Sequence, residues 1–133
     1  NFALLGNAGE FLDPVFSSGV TIALKSSSLA VPLIDRMFNG EQIDWMKDYE
    51  IPLRTGIRVF RAYVEAWYEG EFQDVVFSAV QNDKIRRMIA SLLAGYAWDD
   101  TNPVYKNARQ RLSTLAAYCR EQQTITAFEL EVD

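Results

Sequence analysis

The sequence predicts a mainly α-helical fold with one glycine-rich loop at its front, and three observations predict it. Along most of the chain, apolar residues recur at alternating spacings of three and four, the mark of helices with one buried stripe. Gly6, Gly9, Pro14 and Gly19 crowd the first twenty residues, where no such period exists. With 49% hydrophobic and 23% charged residues, the 133 positions have the composition of one globular domain with enough apolar side chain for a core.

Phe2-Ala3-Leu4-Leu5 is a short apolar run closed by Gly6 and reads as a buried strand, and residues 6–19 read as loop. Val20, Leu24, Val31, Ile34 and Phe38, with the small Ser27 between them, then define a helix with that stripe buried. It is kinked at Pro32, which removes a donor from the carbonyl near Ser28, and it stops at Asn39-Gly40. Residues 43–50 make a short amphipathic turn or helix that breaks before Pro52. Leu53, Ile57, Phe60, Val64 and Trp67 form the stripe of the next helix, which ends at Gly70, and 72–80 form a shorter one.

Asn82-Asp83 caps a helix over 84–93 that stops at Gly95. Asn102-Pro103 starts the last helix, which buries Val104, Ala108, Leu112, Leu115 and Cys119. Phe128, Leu130 and Val132 alternate with Glu129 and Glu131, as a closing strand or an extended tail would.

Several function classes drop out. No histidine is present, which removes Ser-His and Cys-His catalysis and imidazole metal sites. Cys119 is the only cysteine, so there is no internal disulfide and no thiolate zinc site. A net charge of -5 argues against a nucleic-acid binder. No apolar run approaches the roughly 20 residues of a membrane span. The opening Asn1-Phe2-Ala3-Leu4-Leu5-Gly6 lacks both an initiator Met and the basic start of a signal peptide, and it reads as cut from something longer. A cytoplasmic protein is the expectation.

The chemistry lies between Gly6 and Val20. A strand, a glycine loop and a helix in succession aim free backbone N–H groups and the positive end of a helix dipole at whatever sits before Gly19. Such a site suits an anion or an electron-rich ring edge. Gly6 and Gly9 allow close backbone approach, and Asn7 offers a donor and an acceptor to a hydroxyl-rich ligand. The plainer reading is a tight turn that caps a helix.

Gly6-Asn7-Ala8-Gly9, Pro14 and Gly19 together resemble the second flavin-binding motif of the FAD-dependent monooxygenase and halogenase superfamily. Asp13-Pro14-Val15-Phe16-Ser17-Ser18-Gly19-Val20 is most similar to the flavin-dependent halogenases of the tryptophan halogenase superfamily. Leu92-Leu93-Ala94-Gly95, Trp98-Asp99-Asp100 and Asn102-Pro103-Val104 resemble the helical C-terminal region of those proteins. The resemblance covers the chain through about Leu112. It implies the helical C-terminal region of a Rossmann-like, FAD-binding oxidoreductase, with 1–19 ending the flavin domain and 20–133 forming a helical domain.

The resemblance also implies roles. Gly6, Asn7 and Ala8 would lie along the ribityl and pyrophosphate part of FAD, with Asn7 in place of the commoner Asp, and Gly9 would also be cofactor-binding. Pro14 would shape the turn by the flavin, and Gly19 and Val20 would present amides to the isoalloxazine edge. Ser18 and Gly19 would cradle a halide, the co-substrate. Phe16 stands where tryptophan halogenases carry a Glu, which points to phenolic or pyrrolic substrates, often carrier-bound. The implied partners are an electron-rich aromatic substrate, an acyl-carrier protein and a flavin reductase, with a homo-oligomer left open. The implied activity is halogenation; its rivals are a flavin-dependent hydroxylase or geranylgeranyl-reductase-like enzyme, and a helical protein-interaction domain with a vestigial flavin loop.

Two absences set limits. No Gly-x-Gly-x-x-Gly is present to hold the ADP half of FAD. The family's catalytic Lys is not matched here, Lys25 does not take its place, and no catalytic residue is assigned. The chain alone should neither hold FAD tightly nor turn over.

Other candidates have plainer readings beside the sharp ones. Packing is favoured over substrate contact for Trp67, and Trp98 is left open, while Trp45 could line a pocket. Arg54, Arg58 and Arg61 share a helix face that could receive an acidic carrier, and Arg86-Arg87 could too, though solvated faces explain both. Asp99-Asp100 suits a helix cap better than a metal. Cys119 suits the core, and Asp13 suits a turn, with Glu10 the other carboxylate of the loop.

Overall fold

The computed structural model describes residues 3–14, 16–79, 83–103 and 105–132, with the backbone alone for 126–132. Phe2, Val15, Val80, Asn82, Val104 and Asp133, and the side chains of Phe128, Glu129, Leu130, Glu131 and Val132, lie outside them. Five helices carry the fold: α1 (Ser18–Phe38), α2 (Ile51–Tyr68), α3 (Glu71–Val76), α4 (Asp83–Leu93) and α5 (Ala108–Val132). A 3-10 turn at Gly6–Ala8 precedes α1, and a π-helical turn at Met46–Glu50 leads into α2.

The centre is α2, which packs against α1, α3, α5 and the π-helical turn. One side of it buries Phe60, Tyr63 and Ala66 against Phe72 and Val75 of α3, Ile89 and Leu92 of α4, and Leu112 and Cys119 of α5. Its first turns bury Leu53 and Ile57 with Ile22, Ala30 and Leu33 of α1 and with Tyr49. Burial of one such Leu, Ile or Phe is worth about 1.5–3 kcal/mol. Leu12 and Trp98 pack against both clusters. The Trp98 indole donates to the Pro52 carbonyl at 2.9 Å and stands directly over Gly56.

Among the described residues there is no strand. Leu5 is extended (φ -119°, ψ 155°), but residues 3–5 have no strand beside them to pair with, so the expected first strand is present only as extended chain. The expected closing strand is helix: the α5 backbone is helical through Val132. An alternation over only five residues is at the short end of a strand signal, and the helix that starts at Ala108 runs straight through it.

The first helix turns the other way from the expected stripe. Val20, Leu24, Val31 and Phe38 are 69, 69, 62 and 81% exposed, while Ser18, Ile22, Ser26, Ala30 and Leu33 face inward. Small residues hold that face where the 3-10 turn comes in close, at Ala23 and Ser26, while Ile22 and Leu33 pack toward α2. The inward Ser26 is satisfied at its hydroxyl, as described below. Pro32 lies within α1, which continues to Phe38.

The segment before Pro52 does not break, since the π-helical turn runs straight into α2 with Pro52 in its first turn, where a missing N–H costs little. The last helix starts at Ala108, not at Asn102-Pro103. There Tyr105 N–H donates to the Asn102 carbonyl at 2.9 Å, closing a turn, and Asn107 takes a left-handed φ of 57° just before the helix.

Candidate flavin-side loop

The loop has two arms, and α1 brings them together. At the first, Gly6 has φ +55°, and a Cβ there would sit 3.1 Å from Ala23 Cβ, so both turn and close approach require glycine. The Gly6 N–H donates to Ser26 Oγ at 2.9 Å, and the Ser26 hydroxyl donates to the Ala23 carbonyl at 2.9 Å. The Gly6 carbonyl accepts from Gly9 N–H at 3.0 Å and Glu10 N–H at 3.1 Å. Asn7, Ala8 and Gly9 are left exposed.

At the second arm the chain enters α1 through Ser17, held left-handed at φ 49° with its N–H on the Pro14 carbonyl at 3.0 Å. No Ser17 side-chain bond caps the helix. The first-turn amides of α1, from Ser18 to Thr21, therefore have no acceptor within the helix and lie at the positive end of its dipole. Ser18 is buried, Gly19 is half-buried and Val20 is exposed. A Cβ at Gly19 would lie 2.9 Å from Asn7 Oδ1. The carboxamide of the first arm thus lies against Gly19 in the first turn of the second.

Between the arms the loop is pinned along α2. Glu10 pairs with Arg61 at 2.8 Å. Two turns on, the Tyr68 hydroxyl donates to Asp13 Oδ2 at 2.7 Å, and that bond holds the phenol above its usual pKa. Phe16 is edge-on to Trp67 at 6.0 Å and tilted on Phe72 at 5.7 Å. Both loop carboxylates are committed to positioning, and Phe16 is a packing residue. A cleft of about 280 Å³ opens beside Gly9 and Glu10, walled by Trp45, Tyr49, Glu50 and Arg54. The Tyr49 hydroxyl donates to the Leu4 carbonyl at 2.8 Å and fixes one wall.

The other sequence candidates divide as follows. Trp45 lines that cleft, and Trp67 packs in the core. Trp98 is a packing residue with Lys25 over its ring, 5.6 Å from the centroid. Arg54 pairs with Glu50, and Arg58 donates to the Arg54 carbonyl. Asp99 accepts from the Thr101 hydroxyl at 2.6 Å and N–H at 2.9 Å, bonds that lower its pKa, so it closes a turn instead of capping a helix. Cys119 is fully buried. No group of three metal-ligating side chains occurs among the described residues, and none of their helices is long and apolar enough to cross a membrane.

The sequence reading missed Ser26, which orients Gly6, and Arg61 and Tyr68, which hold the loop. A serine at a helix position with small neighbours carries little periodic signal, and contacts across some fifty residues carry none.

No protein-family model matches the chain. The 1H-pyrrole-2-carbonyl-[peptidyl-carrier protein] chlorinase of Pseudomonas fluorescens is 35% identical over 101 residues, which is 71% of this chain and 21% of that protein. The crystal structure of a flavoprotein/dehydrogenase from Cytophaga hutchinsonii superposes with a TM-score of 0.86 and 42% identity, over 92% of this chain and 30% of the other. The chain thus spans about a fifth of the curated relative's length and under a third of the solved structure's. Over the part it covers, the chain is similar in sequence to a carrier-protein-dependent chlorinase and in sequence and fold to a flavoprotein/dehydrogenase.

Proposed function

We propose that residues 6–20 form one side of the FAD and halide site of a flavin-dependent halogenase acting on an electron-rich, carrier-bound aromatic such as a pyrrole. The observation that carries this reading is Asn7 Oδ1 lying against Gly19 at the opening of α1. It joins a hydroxyl-reading carboxamide and a set of unengaged amides in one place, the donor set a flavin and a halide need. Gly6, Asn7, Ala8 and Gly9 would hold the ribityl and pyrophosphate part, with Pro14 shaping the turn. Gly19 and Val20 would direct amides at the isoalloxazine edge, and Ser18 and Gly19 at the halide.

Bound FAD would supply the redox chemistry. This chain's residues bind, orient and keep the loop rigid, and none of them is assigned a proton transfer. The carrier-bound pyrrole is what the Pseudomonas relative acts on, and Phe16 at this loop position is consistent with it. We further propose that 1–19 complete a flavin-binding domain and 20–133 a helical one, with the outward stripe of α1 packed on the rest of the flavoprotein. By itself the chain would be inactive. A second reading, a flavin-dependent dehydrogenase, is favoured by the Cytophaga relative.

The test is Gly19→Val in the full-length protein. Its Cβ would displace the Asn7 carboxamide and crowd the first turn of α1, so FAD retention and halide affinity should each fall about tenfold or more, the loss of one or two polar contacts. Unchanged flavin absorbance and halide affinity would sink the assignment. Product formation without halide would favour the dehydrogenase.

A further inference from the structure

On the side of the molecule built by α4 and α5 lies an open groove of about 650 Å³ that the flavin-side loop does not use. Its floor is Ile85, Met88, Leu115 and the half-exposed Tyr118, with Pro103 closing one end. The rim carries Lys84 and Arg111. No carboxylate is among the described residues that line it. Two nearby arginines are outside its lining and paired elsewhere, Arg109 with Glu69 and Glu71 and Arg86 with Asp83. In a chain of net charge -5, the trough thus carries two cations and no anion among its described lining residues.

An apolar trough between two helices accepts the apolar face of a third helix, and its charged edges select that helix's flanks. Basic edges select an acidic helix. The floor also lies at a defined distance from the loop. Gly95, just past the end of α4, abuts Thr21 in the first turn of α1, where a Cβ would be 3.1 Å from Thr21 Cγ2. With 11 residues, α4 is roughly 16 Å long. A partner seated at Lys84 therefore stands within roughly two such helix lengths of Ser18 and Gly19, a span that a long flexible acyl arm can cover.

Resting on the carrier-bound substrate proposed above, we infer that the α4–α5 groove docks an acidic amphipathic helix of the carrier protein that delivers the aromatic acyl group. Arg54 and Arg58, the other basic face, are not the docking surface.

The experiment uses the full-length protein and a carrier protein charged with a pyrrole-2-carbonyl group. Binding and steady-state kinetics are compared for wild type, the double variant Lys84→Glu/Arg111→Glu, and Arg58→Glu. The double variant should weaken carrier binding about tenfold or more and raise KM with kcat little changed. Arg58→Glu should stay within about twofold of wild type. Raising the salt should weaken wild-type binding and not that of the double variant.

Equal carrier affinity in wild type and double variant would overturn the groove and leave the carrier-bound substrate standing. Absence of carrier binding by wild type would overturn both. A fall in Tm of the double variant with carrier affinity intact would show the groove covered by the protein's own remaining chain, and would overturn the docking proposal.

Discussion

Replacing Gly56 with alanine tests the packing at the centre of the molecule. Gly56 faces Trp98, and an added Cβ would stand 2.2 Å from Cε2 and 2.3 Å from Cδ2 of the indole. No rotamer adjustment of a methyl can relieve that, so the indole or α2 must move. Overpacking of this kind costs about 1–3 kcal/mol. A shifted indole also strains or breaks its 2.9 Å bond to the Pro52 carbonyl, worth about 1 kcal/mol. Against this, alanine is better than glycine in a helix by about 0.8–1.0 kcal/mol.

The net expectation is about 2 kcal/mol of destabilisation, or a Tm lower by roughly 5–10 °C at this chain length. Urea unfolding followed by tryptophan fluorescence measures the first and calorimetry the second. The native emission should shift as well, because Trp98 leaves its carbonyl partner. A neutral or stabilising Gly56→Ala would refute the contact and with it the role of Trp98 in joining the two clusters.

Two further outcomes follow from bonds described above. Ser26→Ala leaves the buried Gly6 N–H without its acceptor and should cost about 1–3 kcal/mol; hydrogen exchange at Gly6 should speed up, and an unchanged rate would count against the bond. Arg109 on Glu71 holds that carboxyl below its usual 4.5, helped by Ser113. Because the folded pKa is depressed, the pair's stabilisation is complete above about 4.5 and is lost as pH falls through the lower folded value. Glu71→Gln should therefore flatten the acid limb of the stability curve below pH 4.5, and two superimposable curves would rule the pair out as a contributor.

Much of the fold was legible because helices announce themselves by period. The stripe of α2, with Leu53, Ile57 and Phe60, is buried as spacing predicts, and α4 stops before Gly95 as its glycine predicts. The inward face of α1 was not legible, since period alone cannot rank Val20 and Leu24 against Ser18 and Ser26. What decides is the neighbour: the 3-10 turn comes in close at Ala23 and Ser26, where small side chains fit, while Ile22 and Leu33 pack toward α2. Asn102-Pro103 misled because a good helix-start pair also makes a good turn. At the site, the glycines and Asn7 could be read from local chemistry. Their meeting with Gly19, and the anchors on α2, depend on contacts remote in sequence.

The pinning of Glu10, Asp13 and Phe16 on α2 and α3 makes their placement a property of positions some fifty residues away. Arg61, Tyr68, Trp67 and Phe72 act as tuning screws for the loop, reachable without touching any residue that would meet a ligand. In a directed-evolution campaign for altered substrate scope, beneficial changes are expected to gather at these four sites. A library restricted to the loop would leave them unsampled.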